Sequence, residues 1–194
     1  GKFPTRMTPE NRYAVIDTEG EFPPIEEINK LIKKLTLAVY SPLTYVLPEK
    51  RVAYEKKYDM VVGSNNSVFR QIDREQSLVG LMRVGILKRL ESSINSFALT
   101  VENILNKIDR TIEAIEQRQL DYDAEMDISE IDIDDPEFES MMFGNNVKVL
   151  LQDMDLIKWK QDLLADKDKL ETILLEAINV TPDRDAKLIE LRTL

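Results

Sequence analysis

The feature that most constrains the fold is a long row of apolar residues at helical spacing between about Ser77 and Gln119, a stretch without proline. Steps of three or four residues separate successive members, which places them on one side of a helix. We call this row the seam; it consists of Leu90, Ile94, Phe97, Val101, Ile104, Ile108, Ile112 and Ile115. An unbroken helix of this length is about 60 Å long. It needs a partner helix to bury the seam, and Gly85 is where we expect any bend.

Residues 147–179 are the predicted partner, because apolar residues recur there at the same spacing. The matching face is predicted to contain Leu150, Met154, Ile157, Leu164, Leu170, Ile173, Leu174 and Ile178. An antiparallel hairpin of the two helices would bury the seam, with residues 121–143 as its acidic connection. The pattern therefore predicts a mainly all-α fold, a long helical hairpin or bundle with a short N-terminal extended or β segment.

Shorter elements complete the prediction. Pro23 and Pro24 precede IEEINKLIKKLTLAVY, an amphipathic helix, and EKRVAYEKKYD at 49–59 predicts a short one. SNNS at 64–67 indicates a turn. Thr181 is expected to cap a last helix that has Pro182 at its first position.

The N-terminal part has a different character. Residues 1–20 are predicted to be an extended connector and residues 21–194 a helical protrusion domain. The connector holds one short strand, Tyr13–Ile16, and Tyr58–Val62 is the other plausible strand. A lone strand leaves its backbone N–H and C=O groups without partners, so we expect the first strand to pair outside this chain.

The net charge of −10 is concentrated in one segment. Residues 121–139 hold ten acids and no base, and removing them from the 36 acids leaves 26 against 26 Lys and Arg. The overall acidity therefore says little about the rest of the surface. No apolar run approaches the roughly 18 residues of a membrane span, so we expect no membrane partner.

Several chemistries lack their usual residues. The chain contains no His and no Cys, and no phosphate-binding GxxxxGK[ST] loop, GxGxxG, GxSxG or HExxH motif. Asp121, Asp123, Glu125 and Asp127 imitate the start of a calcium loop, but Met126 replaces the required Gly and Asp132 the final Glu. We therefore predict no catalytic, cofactor-binding or metal-binding residue, and a solvated acidic loop.

The remaining candidates are surface charges and hydroxyls near the start of the seam. Arg83, Lys88 and Arg89 can contact DNA phosphates, although charges on a helix are commonly only its solvated face. Further basic candidates are Lys30, Lys33, Lys34, Lys50, Arg51, Lys56 and Lys57. Ser92 and Ser93 either donate to a phosphate or are small residues that let two helices approach closely; the second reading is favoured.

Three stretches together resemble a known family. They are FPTRMTPENRYAVID (3–17), SLVGLMRVGILKRLESSINSFALTVENIL (77–105) and DRDAKLIELRTL (183–194). In this order they are similar to landmarks of bacterial Swi/Snf-type ATPases, the DNA translocases of helicase superfamily two. The resemblance implies the helical region between two motor lobes, which lies beside the DNA cleft and couples lobe closure to movement on duplex DNA.

The same resemblance implies the partners and the location. The partners are the motor lobes of one parent chain and double-stranded DNA, in the bacterial cytoplasm. ATP and Mg²⁺ belong to the parent protein's lobes, and Lys88 and Arg89 are the first candidates for phosphate contact or for a salt bridge to a lobe. The alternative is a free-standing helical adaptor that binds a protein partner; a metal- or calcium-dependent enzyme is a third, disfavoured hypothesis.

Overall fold

A computed structural model describes residues 15–62, 67–118, 125–127 and 147–193. Helices dominate this part of the chain, which confirms the mainly all-α prediction. They are α1 (Ile25–Lys33), α2 (Pro48–Tyr58), α3 (Gln71–Ser92), α4 (Ile94–Arg118), α5 (Leu156–Ile178) and α6 (Ala186–Arg192). Short 3₁₀ turns cover Ala38–Tyr40, Pro42–Tyr45 and Leu151–Asp153.

The strands form two small antiparallel pairs. β1 (Met60–Val62) pairs with β2 (Ser67–Phe69), and Val61 lies opposite Val68. β3 (Glu125–Asp127) pairs with β4 (Lys148–Leu150), and Met126 lies opposite Val149. Both pairs are too small to form a separate sheet layer, so they are accessory to the helices.

Helices α4 and α5 form an antiparallel pair, which we call the arm. Lys160 of α5 contacts Glu116 at 2.6 Å, and Lys167 contacts Asp109 at 2.6 Å. Residue numbers rise along one helix as they fall along the other, as in the predicted hairpin.

Residues 36–58 run from the middle of α5 past its N-terminal end to β4. Thr36 bonds to Asp166, Tyr45 to Asp162, and Tyr58 to Lys148. Helix α3 returns the other way, since Glu75 bonds to Leu43 and Arg83 to Leu35. In its described residues, the chain therefore passes along one bundle four times, in alternating directions.

The seam lies in the core, as predicted. Its eight side chains are at most 8% exposed, and Phe97, Val101, Ile108 and Ile115 are fully covered. The single tryptophan, Trp159 of α5, is also fully buried. Its indole Nε1 donates to the carbonyl of Ala38 at 3.0 Å, so the ring is fixed at both its apolar and its polar parts.

The predicted unbroken rod was wrong, because the chain turns back between α3 and α4. The helix breaks at Ser93 (φ −161°, ψ 130°) and not at Gly85, which lies inside α3. The Ser93 side chain accepts a bond from the Ser96 N–H at 3.3 Å. A serine side chain can replace the missing helical acceptor, whereas the helix tolerates a glycine without bending.

The first helix is shorter than its apolar pattern predicts. Helix α1 ends at Lys33, and Leu37 adopts a left-handed conformation with φ 52°. Leu35 and Val39 are buried outside any α-helix. Their burial arises from packing on α3 and α5, which the local pattern does not reveal. The short helix at 49–59 is confirmed as α2.

The predicted partner helix was also too long. Residues 148–153 form β4 and a 3₁₀ turn, and α5 begins after Asp155, whose side chain accepts from the Lys158 N–H. Three of the eight residues of its predicted buried face were wrong, because Ile157, Leu164 and Ile178 are 75%, 46% and 59% exposed. The buried face is instead Trp159, Leu163, Asp166, Leu170, Ile173 and Ala177.

The ends of the chain differ from the prediction as well. Met60–Val62 is not alone, since β2 is its partner. In the strand predicted at 13–16, the described residues Val15 and Ile16 belong to no ladder, and the Ile16 carbonyl accepts from Ala186 within this chain. Helix α6 begins at Ala186 with Asp185 as its cap, not at Pro182.

Two predicted features lie largely outside the described residues. These are the acidic connection 121–143, of which only the backbone of β3 is described, and the turn at 64–67, of which only Ser67 is described, in β2.

Candidate functional site

The five predicted contact residues lie in the second half of α3 and at the break that follows it. Lys88 and Ser92 are exposed. They are four residues apart on a helix and therefore share one face. Arg89 is partly buried beside them. The end of α3 thus presents a basic side chain and a hydroxyl to the outside.

Arg83 is occupied inside the protein. Its Nε and Nη2 both donate to the carbonyl of Leu35, at 3.1 and 2.6 Å. This carbonyl lies just after α1, where the chain leaves the helix. A guanidinium that satisfies such a carbonyl fixes the segment after α1, so Arg83 has a structural role.

Ser93 also has a structural role. Its N–H donates to the Arg89 carbonyl at 2.8 Å, and its own carbonyl accepts from the Phe97 N–H at 3.0 Å. Together with its side-chain bond to Ser96, these contacts end α3 and begin α4. Of the five predicted residues, the structure therefore leaves Lys88, Arg89 and Ser92 together as a surface cluster.

Several of the other basic candidates have partners within the bundle. Lys50 contacts Asp153 at 3.1 Å. The Nε of Arg51 donates to the Val46 carbonyl at 3.3 Å, and Lys57 lies 5.1 Å from the Tyr58 ring centre. These cations stabilise α2 and its neighbours.

Buried carboxylates are the polar feature that sequence reasoning missed. Asp166 is fully buried in α5 and accepts from the N–H groups of Thr36 and Ala38, at 2.7 and 3.0 Å. Burial raises its pKa, and these backbone donors oppose that rise. The carboxylate therefore holds the irregular backbone around Leu37, where no helix supplies acceptors.

Glu75 of α3 has a similar position. Its Oε2 accepts from the Leu43 N–H at 3.0 Å, and only 5% of the residue is exposed. Burial raises the pKa of Glu75 well above its ordinary range. Together, Asp166 and Glu75 hold residues 36–43 from two sides. Their carboxylate oxygens therefore accept backbone hydrogen bonds that stabilise the fold.

Two tyrosines of α2 perform a related task at β4. The Tyr58 hydroxyl donates to the Lys148 carbonyl at 2.7 Å and accepts from its N–H at 2.8 Å. The Tyr54 hydroxyl accepts from the Leu150 N–H and donates to Asp153, both at 3.0 Å. Burial and the Asp153 carboxylate raise the pKa of Tyr54 to about 12. The hydroxyls satisfy backbone groups of β4 that a further strand would otherwise pair.

The most concentrated charge contact joins two distant segments, 15–22 and 179–186, which we call the neck. Arg184 donates from Nη2 and Nε to the two oxygens of Asp17, at 2.6 and 3.1 Å. This guanidinium holds the pKa of Asp17 well below its ordinary value. Backbone bonds run beside it, from Thr18 N–H to Arg184 and from Ala186 N–H to Ile16, at 2.9 and 3.2 Å.

One of the missed residues carries a sequence signal. Asp166 lies in phase with Trp159, Leu163, Leu170 and Ile173, so an acid occupies a position that the helical period assigns to the core. An acid in such a place needs hydrogen-bond partners. Asp17 and Arg184 have no comparable pattern, because 167 residues separate them.

Comparisons of this chain with protein-family models, with curated proteins and with solved structures found no match. Within the described ranges, no helix has both the length and the apolar character to cross a membrane. The same residues contain no group of three or more acids placed to hold a metal ion.

Proposed function

We propose that this chain is a non-catalytic helical module between the two motor lobes of an ATP-dependent DNA translocase or helicase. It couples lobe motion and contacts the duplex backbone. ATP and Mg²⁺ act in the lobes of the parent protein, in the bacterial cytoplasm. The motifs that resemble Swi/Snf-type ATPases are the source of this proposal, and the geometry below supports it.

The neck is the observation that carries the proposal. Residues 16–18 and 184–186 lie side by side, joined by two backbone bonds and the Asp17–Arg184 pair. Adjacent ends suit a module whose chain enters from one lobe and leaves to a neighbouring one. Adjacent connections let the whole bundle move with its host as one body.

The arm supplies stiffness. Helices α4 and α5 contain 25 and 23 residues, which makes each about 35 Å long. The seam is buried between them and their neighbours. Because packed cores resist deformation, a displacement at one end of such a pair is transmitted to the other.

The surface cluster at the end of α3 is the proposed DNA contact. Lys88 and Arg89 carry positive charge, and Ser92 offers a hydroxyl donor. Such groups bind phosphate oxygens without reading the base sequence. A translocase needs this kind of contact, since it moves over any sequence.

The test uses a protein that contains both proposed lobes. Lys88→Ala with Arg89→Ala should lower DNA-stimulated ATP hydrolysis and reduce the salt slope of DNA binding by about 1 to 2. Lys158→Ala is the matched control, because this lysine is also exposed on a helix, α5, and lies outside the surface cluster. Unchanged rates and slope in the double variant would reject the phosphate contact. The parent reading frame should encode a phosphate-binding loop before this segment and a second lobe after it. A reading frame that lacks either one would reject the module itself.

A free-standing adaptor remains the second candidate because of one observation. The outer face of α5 carries four exposed apolar residues at intervals that keep them on one side; they are Ile157, Leu164, Leu175 and Ile178. Leu164→Ser with Leu175→Ser would abolish partner binding by an adaptor. The same pair would leave DNA-stimulated ATP hydrolysis unchanged if the cluster on α3 is the working surface.

A further inference from the structure

We propose that the neck is a latch that opens as one cooperative unit while the helical bundle stays folded. The inference concerns the motions of this chain alone, so it goes beyond the proposed function and does not depend on it. The latch is inferred from how many of the neck contacts share one carboxylate, and from how few of the described neck and α6 residues are fully buried.

A single guanidinium serves three carboxylates in the neck. Arg184 contacts Asp17, Glu19 and Glu21, at 2.6, 3.2 and 3.1 Å. The Asp17 side chain is 2% exposed and that of Arg184 16%, whereas Glu19 and Glu21 are 58% and 71% exposed. The buried pair is therefore the central contact, and the two glutamates lie at its solvent-exposed edge.

The same Asp17 carboxylate also shapes its own segment. It accepts from the N–H groups of Glu19, Glu21 and Phe22, at 3.1, 2.9 and 3.0 Å. The turn includes Gly20 with φ 72°, a conformation that glycine adopts without strain. Because one side chain holds both the turn and Arg184, loss of either contact weakens the other.

Within the described residues, few apolar side chains join the neck to the core. Phe22 and Val180 are buried in it, and the partly buried Ile16 packs against it. Beyond them, no residue of α6 is fully buried, although residues 186–190 are half-buried, and the helix is capped by Asp185, which accepts from Lys187 and Leu188 N–H. Segments with few buried apolar contacts open before the core does, so release of Arg184 frees residues 181–193 together with the turn at 17–22.

Amide hydrogen exchange of the whole chain, followed by NMR, tests the latch. The reporters in the neck are the N–H groups of Thr18, Glu21, Phe22 and Ala186, and those in the bundle are Ile108 and Leu170. In Arg184→Gln and in Asp17→Asn, we expect protection of all four neck amides to fall together, by about tenfold or more. Protection of the bundle amides should stay unchanged.

Two further variants sharpen the test. Lys160→Gln removes the exposed 2.6 Å contact with Glu116 inside the arm and should leave the neck amides as they are. The exchanged pair Asp17→Arg with Arg184→Asp restores opposite charges, but an arginine at 17 cannot accept from the turn. We expect this double variant to keep the neck open.

The outcomes separate cleanly. Equal loss of protection in α4 and α5 would show that the neck is part of the core, and loss in 18–22 without loss at Ala186 would show two independent segments. Full recovery of neck amide protection in the double variant with exchanged charges would show that the ion pair alone holds the neck closed. Each of these results overturns the latch.

Discussion

The arm and the neck are stabilised by different means. The arm buries an apolar seam whose members are at most 8% exposed, so its stabilisation is spread over many weak contacts. The neck depends on one guanidinium and one carboxylate, supplied by Arg184 and Asp17. Distributed burial fails only when the whole bundle unfolds, whereas a directed charge contact is lost with either partner. The difference teaches that stiffness and release can reside in separate parts of one small bundle.

The largest expected effect comes from emptying the seam. Phe97→Ala removes a fully buried ring and should lower the free energy of unfolding by about 3–5 kcal/mol. Urea unfolding followed by the fluorescence of Trp159 measures this loss. Leu99→Ala is the matched control on the same helix, because Leu99 is 52% exposed and should change stability by less than about 0.5 kcal/mol. Equal losses in the two variants would contradict burial of the seam.

The next effect concerns the neck and depends on pH. Asp17 has a folded-state pKa below its ordinary value of 3.8, so its contribution is present above that pH and is lost as pH falls through the folded-state pKa. Asp17→Asn should therefore cost about 2 kcal/mol at pH 7, and the difference from wild type should shrink below about pH 4. Urea titrations between pH 7 and pH 3 measure this difference. A constant difference over that range would contradict the depressed pKa.

The third effect has the opposite sign, because Glu75 is an acid placed within the apolar bundle. Burial raises its folded-state pKa above 4.5, so the stability it contributes is present below pH 4.5 and is lost as pH rises through the folded-state pKa. Glu75→Gln keeps an oxygen for the Leu43 N–H without the charge. We expect equal stability near pH 4 and a gain of about 1 kcal/mol at pH 8, measured by urea unfolding.

A matched variant at the same position separates charge from hydrogen bonding. Glu75→Ala leaves the Leu43 N–H without its acceptor and should cost about 1–3 kcal/mol near pH 4, and about 1 kcal/mol less at pH 8 because it also removes the charge. If the glutamine variant loses as much stability as the alanine variant, the buried carboxylate charge does not destabilise the folded protein.

The smallest effect tests the break between α3 and α4. Ser93→Ala removes the side-chain bond to the Ser96 N–H and should cost about 1 kcal/mol. Ser92→Ala changes a neighbouring exposed serine and should cost less than about 0.5 kcal/mol. Thermal unfolding followed by circular dichroism compares them. The opposite ranking would move the helix cap to Ser92.

Much of the fold was predictable because helical periodicity is a local property. The eight residues of the seam, the short helix α2 and the antiparallel arm all follow from spacing within a few turns. Ile157, Leu164 and Ile178 show the limit of this reasoning, since their spacing also suits a buried face. Helix α5 has two apolar faces, and packing against residues 36–47 buries the face that contains Trp159 and Leu163.

The candidate site was less predictable. The sequence identifies Arg83, Lys88, Arg89, Ser92 and Ser93 as one group, and it does not distinguish their environments. Only the position of the Leu35 carbonyl makes Arg83 structural, and only the helix break makes Ser93 a cap. Lys88 and Ser92 are exposed in the part of the chain that the structure describes.

The amino-acid sequence by itself determined the helical class, the seam and the absence of histidine and cysteine chemistry, because these depend on composition and on neighbours within about four residues. The tertiary structure alone decided which backbone groups and side chains the buried charges hold. Asp166 accepts a hydrogen bond from Thr36, which is 130 residues away in the sequence, and Asp17 accepts one from Arg184, which is 167 residues away. No local pattern encodes such meetings, since they exist only after the chain has folded and water has been excluded from the carboxylates.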